Sequence, residues 1–110
     1  MYHFKIKEVE GLLEFSYTGG IVGLGNAFGR INPYTRIAHL DLIRVDPQYR
    51  MLNVGRNTMD EIEELVKQQG ANEITGEAKT GSEEFWKSLG YEIITRKPGD
   101  MPKIRKCLTI

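Results

Sequence analysis

Apolar and polar residues alternate along the first half of the chain. In the first segment Tyr2, Phe4 and Ile6 form the apolar face, and the residues between them are polar or charged. This period of two is typical of half-buried β-strands. It predicts four strands, over Tyr2–Val9, Leu13–Thr18, Ile21–Phe28 and Arg36–Val45. The turn residues Glu10-Gly11, Gly19-Gly20 and 32–35 separate these strands, so the sequence predicts an antiparallel meander with a two-residue hairpin at Gly19-Gly20.

The second half of the chain changes to a helical period. From about Asn53 to Gln69 the apolar residues recur on one side, and Gly70 is a helix stop signal. A strand over 72–78 follows, which a right-handed crossover would place parallel to the fourth strand. Ser82 is the predicted N-cap of a second helix that ends at Gly90, and two strands over 91–95 and 103–110 complete the chain. The predicted fold is α+β, a mixed and mostly antiparallel sheet with two helices in the order β-β-β-β-α-β-α-β-β.

Composition narrows the class of protein. The 110 residues correspond to one domain, 1–110, and 15 basic residues balance 15 acidic ones. A neutral chain does not favour nucleic-acid binding, which needs a basic surplus. No apolar run is long enough to span a membrane, and the alternating N-terminus does not resemble a signal peptide. A single cysteine, Cys107, allows no internal disulfide, which indicates a reducing cytoplasm. Its position in a predicted strand favours a structural role over a reactive thiol.

The segment 36–56, RIAHLDLIRVDPQYRMLNVGR, joins a strand through a short polar loop to the start of a helix. The first N–H groups of a helix have no internal partner, and the helix dipole makes that end positive. Such an end is a ready anion site. Gly23, Gly25 and Gly29 do not have the spacing of a dinucleotide fingerprint, and no helix follows them, so they indicate a bulge or close packing in a strand.

Two motifs carry a family resemblance. VDPQYRMLNVGR resembles the acyl-CoA-binding signature of the GNAT superfamily of acyl-CoA-dependent N-acyltransferases, and EEFWKSLGYEI resembles its later helix-and-strand signature. The resemblance implies an N-acetyltransferase that moves an acetyl group from acetyl-CoA to an amine, with no metal. It also implies the residues that contact the cofactor, namely the strand positions Ile43 and Val45, the pyrophosphate loop Arg50, Met51, Leu52, Asn53, Val54, Gly55 and Arg56, and Trp86 in the aromatic pair.

The chain departs from the family pattern at three places. Asn53 stands where the family usually has Gly. Trp86 lies in the aromatic pair where many members have a Tyr that protonates the leaving thiolate. The Glu10-Gly11 turn also leaves no room for the two early helices that form one wall of the acceptor cleft. We therefore expect a homodimer in which a second subunit completes the cleft. The departures also motivate an alternative function, a catalytically inactive GNAT-fold module for cofactor sensing or protein interaction.

His39 and Asp41 are the candidate catalytic residues. They lie two residues apart on the fourth strand and are expected on one face with Ile43 and Val45. A histidine titrates near neutral pH and could act as the base, with Asp41 orienting it. The other interpretation, that His39 bonds across the sheet and Asp41 pairs with a neighbouring lysine or arginine, is the favoured one at this point, and both stay open.

Overall fold

The computed structural model describes residues 3–19, 25–45, 54–79, 81–94, 99 and 101–108. The elements follow the predicted order, with seven strands and two helices in the described residues. They are β1 His3–Val9, β2 Leu12–Gly19, β3 Gly25–Asn32, β4 Ile37–Val45, α1 Val54–Gln68, β5 Glu73–Glu77, α2 Glu83–Ser88, β6 Glu92–Ile94 and β7 Lys103–Cys107.

The strands form one sheet in the order β1-β2-β3-β4-β5-β7-β6. Every neighbouring pair is antiparallel except β4 and β5, which are parallel as predicted. The predicted bounds of the third strand are wrong, because β3 runs from Gly25 to Asn32. The two-residue hairpin at Gly19-Gly20 is also wrong. Gly19 belongs to β2 and pairs with Gly25, so the connection comprises residues 20–24, which lie outside the described residues.

A tight turn connects β1 directly to β2. Its two central residues, Glu10 and Gly11, have positive φ angles of 52° and 83°. Two successive left-handed residues match the twist of antiparallel strands, so two residues suffice for the reversal. The chain therefore enters β2 with no helix after β1, in agreement with the sequence-based prediction.

One face of the sheet carries the hydrophobic core. The α1 residues Met59, Ile62 and Val66 have no solvent exposure, and they belong to the same core cluster as Ile31 and Ile74 of the sheet. Burying each such side chain contributes about 1.5–3 kcal/mol, so this face holds α1 on the sheet. The predicted apolar side of α1 is thereby confirmed for its buried residues.

The second helix lies beside the first. Tyr91 lies three residues after the end of α2, and its hydroxyl donates a 2.7 Å hydrogen bond to Oε2 of Glu63 in α1. Arg56, in the first turn of α1, donates a 3.4 Å hydrogen bond to Oγ of Ser88. Both described helices thus pack on the same side of the sheet, and we call the other side the open face.

Ser82 occupies the predicted N-cap position of α2 but makes no cap hydrogen bond, because its hydroxyl donates to the Lys79 carbonyl oxygen.

A β-bulge interrupts β4 at Asp41. Leu40 lies opposite Gly29 and Leu42 lies opposite Phe28, so Asp41 is an extra residue between two paired positions. An extra residue reverses the alternation of side chains between the two faces. Ile43 consequently packs against the core, whereas His39 is partly exposed on the open face. The prediction that His39, Asp41, Ile43 and Val45 share one face is therefore wrong, because the bulge moves Ile43 to the other side.

Gly29 makes this bulge possible. A Cβ atom built at Gly29 would overlap the carbonyl oxygen of His39 and would lie 2.8 Å from the Phe15 ring. Only a residue without a side chain fits between them. The interpretation of the glycines as a bulge or close-packing signal is confirmed at this position.

Candidate functional site

The strands β4 and β5 separate midway along the sheet. Their parallel pairing begins at Ile37 with Glu73 and ends at Leu40 with Gly76. Beyond that point β4 continues to Val45 paired with β3, and β5 continues to Glu77 paired with β7. Within the described residues, the β5-facing backbone edge of 41–45 pairs with no strand. Polar backbone groups on such an edge can bind an extended ligand that contains amides, as an added strand would.

Two features mark the point where the strands separate. The bulge at Asp41 directly follows Leu40, the last residue of β4 that pairs with β5, so β4 bends where its contact with β5 ends. Gly76 lies at the same level, and a Cβ atom there would come within 3.2 Å of the Leu40 carbonyl oxygen. The strands can therefore approach closely at the apex and diverge beyond it. We call the space between the diverging strands the cleft.

The amino end of α1 is the second part of the site. It begins at Val54, nine residues after the end of β4, and has no acidic residue in its first turn. Gly55 is half-buried there, and Arg56 is exposed. The N–H groups of a first helical turn, a glycine and a cation together suit a phosphate group. The predicted loop residues Arg50, Met51, Leu52 and Asn53 lie outside the described residues.

A polar cluster lies at the apex on the open face. His39 Nδ1 is 2.9 Å from the Thr75 Oγ1 atom on β5, and His39 Nε2 is 3.8 Å from Asp41 Oδ1. Arg30 of β3 donates hydrogen bonds from Nε and Nη2 to the two Asp41 carboxylate oxygens, at 3.3 and 3.2 Å. We call these four residues the apex cluster. The His39 and Asp41 side chains keep 43% and 26% of their exposure, so both are accessible from solvent.

The structure brings the two predicted catalytic residues together and adds two that sequence reasoning missed. Arg30 lies opposite His39 on β3, and Thr75 lies opposite His39 on β5. The contacts expected from a purely structural role, a bond across the sheet and a paired aspartate, are both present. The correct register of β3 was the missing signal, because the predicted bounds of that strand did not place Arg30 beside His39.

The aromatic pair of α2 is only partly available to a ligand. Trp86 is buried, and its ring lies edge-on to Phe85 and Tyr91 at 5.0 and 5.1 Å between centroids. Its contact with a cofactor stays a prediction, and Phe85 is the exposed member of the pair. Burial, followed by the charge of Glu63 and its hydrogen bond, raises the pKa of Tyr91 above its ordinary value of 10.0. A tyrosine held in this way is a poor proton donor.

A shallow groove of 620 Å³ crosses the open face from β1 to β4. The charged residues of its lining, together with the exposed Phe28, lie on the open face of four neighbouring strands. These are Lys5, Lys7, Glu14, Phe28, Arg30 and Asp41. The groove therefore ends at the apex cluster.

Comparison with known families identifies the class of protein that this fold and cleft define. A sequence profile for the acetyltransferase (GNAT) domain matches residues 5–101. The match covers most of the chain, which therefore belongs to the GNAT acetyltransferase family. Comparison with curated proteins found no match.

Solved structures agree on the fold. Gcn5 from Tetrahymena superposes with a TM-score of 0.76 at 14% identity, over 87% of this chain and 69% of that one. An acetyltransferase from Bacillus cereus gives 0.70 at 23% identity, with 87% and 74% covered. The ribosomal-protein-S18-alanine N-acetyltransferase from Escherichia coli gives 0.68 at 19%, with 94% and 73% covered. At these identities the likeness concerns the fold alone.

The described residues contain no group of three or more His, Cys, Asp or Glu side chains placed to hold a metal ion. Neither α1 nor α2 has the length and apolar character that a membrane-spanning helix needs.

Proposed function

We propose that the protein is an N-acetyltransferase that transfers the acetyl group of acetyl-CoA to an amine. The observation that carries this proposal is the cleft, which opens between β4 and β5 with the apex cluster at its closed end. The cleft offers an unpaired backbone edge, a helix start without acidic residues and an accessible histidine. These are the three parts that holding a long, anionic thioester and deprotonating an amine require.

Binding of acetyl-CoA is assigned to backbone more than to side chains. Ile43 and Val45 offer backbone groups on the unpaired edge of β4, and a ligand strand of amides fits there. The fit is consistent with the burial of the Ile43 side chain, since only its backbone is needed. Gly55 and Arg56, with the loop residues 50–54 before them, would hold the pyrophosphate. Bound there, acetyl-CoA supplies the activated acetyl thioester.

His39 is the proposed proton acceptor. The amine nitrogen forms a bond to the acetyl carbon as the carbon–sulfur bond breaks, and one proton must leave that nitrogen. When Nδ1–H of His39 donates to the Thr75 hydroxyl, Nε2 has a free lone pair that can take this proton. Asp41, 3.8 Å from Nε2, stabilises the imidazolium that results, although its pairing with Arg30 weakens that effect. The CoA sulfur takes the electron pair of the broken carbon–sulfur bond and leaves as the thiolate.

Binding is tested first, by isothermal titration of acetyl-CoA into the purified protein. Gly55→Glu places a carboxylate and a bulky side chain at the helix start, and we expect it to abolish micromolar binding. Gln68→Glu is the matched control, because it adds the same charge at an exposed position at the far end of α1. Equal binding by both variants would argue against this helix start as the phosphate site.

Transfer is tested by release of CoA in the presence of a panel of amines, followed with a thiol reagent. We expect His39→Gln to lower kcat by about 10²–10⁴-fold with little effect on acetyl-CoA binding, the range typical for loss of a general base. The alternative function, an inactive sensing or interaction module, would bind acetyl-CoA and release no CoA with any amine. The departures at Asn53 and Trp86 motivate that alternative, and this assay separates the two.

We also propose a homodimer. Phe28 and Leu42 are cross-strand neighbours on the open face, and they expose 50% and 38% of their surface. A second copy that packs against Leu42, beside the groove, would supply one wall of the acceptor cleft and leave Phe28 open to the acceptor. Light scattering should then report twice the chain mass, and Leu42→Ser should lower it. A monomeric wild-type protein at high micromolar concentration would refute the dimer.

A further inference from the structure

The groove on the open face has a direction. Lys5 and Lys7 line it at the β1 end, and the apex cluster closes it at the β4 end. Three strand spacings separate β1 from β4, which gives a length of about 14 Å at roughly 4.8 Å per spacing. A ligand that fills the groove therefore crosses the strands and has one end at Asp41 and the other over the two lysines.

The charges of the two ends differ. Neither Lys5 nor Lys7 forms an ion pair with any residue in the described ranges, so their ammonium groups are available. Glu14 lies opposite Lys7 on β2 and offsets one of the two positive charges. At the other end Arg30 and Asp41 neutralise each other within hydrogen-bond distance. The β1 end thus keeps a net positive charge, and the β4 end is near neutral with the His39 nitrogen exposed.

An acceptor must approach the apex from the open face. The opposite side of the sheet at this level is filled by α1 and the core side chains, including Leu40 and Ile74. His39 and Asp41 both face away from that core. An amine that reaches His39 Nε2 therefore enters along the groove, and the rest of its molecule has the groove as its path.

We propose that the groove is the acceptor site and that it selects an extended, peptide-like amine whose anionic group lies about 14 Å from the nitrogen. The proposal rests on the transferase function given above and adds the chemical class of the acceptor. The free amine lies at His39 and Asp41, the chain crosses Phe28 and Ser16, and a carboxylate lies over Lys5 and Lys7. Polycationic amines are disfavoured, because their second charge would meet these lysines.

The test uses three amidated pentapeptides that differ only in the last residue, Gly-Ser-Ser-Ser-Asp and its Asn and Lys counterparts. An extended chain advances about 3.3 Å per residue, so the fifth side chain is about 14 Å from the terminal amine. We expect kcat/KM for the Asp peptide to exceed that for the Asn peptide by about fivefold at low salt, with the Lys peptide lowest. Exposed ion pairs have this modest strength, and added salt should reduce the preference.

Two double variants test which lysines produce the preference for the Asp peptide. Lys5→Gln with Lys7→Gln should reduce the Asp-to-Asn ratio to about one. Lys67→Gln with Lys87→Gln removes the same charge from the helices on the other side of the sheet and should keep the ratio. A second readout needs no acetyl-CoA. Titration of the Asp peptide should shift the backbone amide NMR signals of Lys5, Lys7 and Phe28.

The outcomes separate this inference from the proposed function. CoA release at equal rates for the three peptides, or a preference that survives loss of Lys5 and Lys7, would overturn the groove assignment and leave the transferase intact. Peptide-induced shifts in the groove, without CoA release from the peptides or from the amine panel, would support the groove and refute the transferase. Absence of both shifts and CoA release with the peptides overturns the groove assignment, and the amine panel then decides on the transferase. Groove signals that move with protein concentration and not with peptide would assign the groove to a second copy of the chain instead.

Discussion

Gly29→Ala tests the link between the bulge in β4 and the position of His39. Gly29 has an extended backbone conformation that alanine also adopts, since its φ is not in the left-handed region. The only obstacle is space. The new Cβ atom would overlap the His39 carbonyl oxygen and would contact the Phe15 ring at 2.8 Å. Either β3 and β4 must separate or Phe15 must leave its place in the core.

The size of the effect follows from these contacts. Forcing one extra carbon into a packed core typically costs about 1–3 kcal/mol, and the overlap with backbone favours the upper half of that range. Replacing glycine also restricts the unfolded chain and returns about 0.4–1 kcal/mol. We therefore expect a net loss of about 1–2.5 kcal/mol. For a chain of this length that corresponds to a fall of about 4–11 °C in Tm.

Gly76→Ala is the matched control. Gly76 also faces the core beside β4, but a Cβ atom there meets the Leu40 carbonyl oxygen at 3.2 Å and Ile104 at 3.5 Å. Neighbours that move by a few tenths of an ångström can accept it, so we expect a change within about 1 kcal/mol of zero. Urea unfolding followed by circular dichroism measures both variants. Equal stability of Gly29→Ala and wild type, or equal loss in the two variants, would refute the role of Gly29 in this bulge.

Three further predictions concern the helix side and the apex. Tyr91→Phe should remove a fall in stability above pH 10, because the raised pKa keeps Tyr91 neutral in the folded protein while Tyr91 ionises in the unfolded chain. Thermal unfolding from pH 8 to 11 measures this, and the same dependence of Tm on pH in the variant and the wild type would contradict it. Lys106→Met should cost about 3–5 kcal/mol in urea unfolding, more than Tyr91→Phe, because it leaves the largely buried Glu63 carboxylate without the cation at 2.9 Å; a smaller loss than that of Tyr91→Phe would argue against the pair. Thr75→Val should lower kcat and displace the pH profile of transfer while KM for acetyl-CoA stays constant, because the valine cannot fix the His39 ring; Thr75→Ser should restore both, and an effect on KM alone would indicate a merely structural role.

The family and the order of elements could be read from the sequence for a local reason. Period-two segments and one long amphipathic helix are local patterns, and the face of a helix that carries Met59, Ile62 and Val66 can only be the buried one. The Glu10-Gly11 turn is equally local, because its two residues alone decide that no helix can follow β1. The strand-loop-helix motif ending at Gly55 likewise indicated a helix start suited to an anion.

Which residues form the apex cluster depends on the register of the strands. The sequence pattern placed the third strand four residues too early in the chain. Once β3 ends at Asn32 instead of Phe28, Arg30 comes opposite His39, and the parallel pairing of β5 brings Thr75 to its other side. These residues are between 9 and 36 positions away from His39 along the chain. No local pattern encodes such distances, because strand register is decided by the burial of whole faces at once.

The position of the bulge in β4 also depends on the tertiary structure. Strict alternation placed Ile43 beside His39, but the extra residue at Asp41 turns Ile43 into the core and keeps His39 on the open face. The sequence by itself determined the order of strands and helices and which helix face is buried, and it predicted a phosphate site at the start of α1. Only the packing of Gly29 against the His39 carbonyl, a contact between two strands, decided where β4 bends and hence which side chains meet at the apex of the cleft.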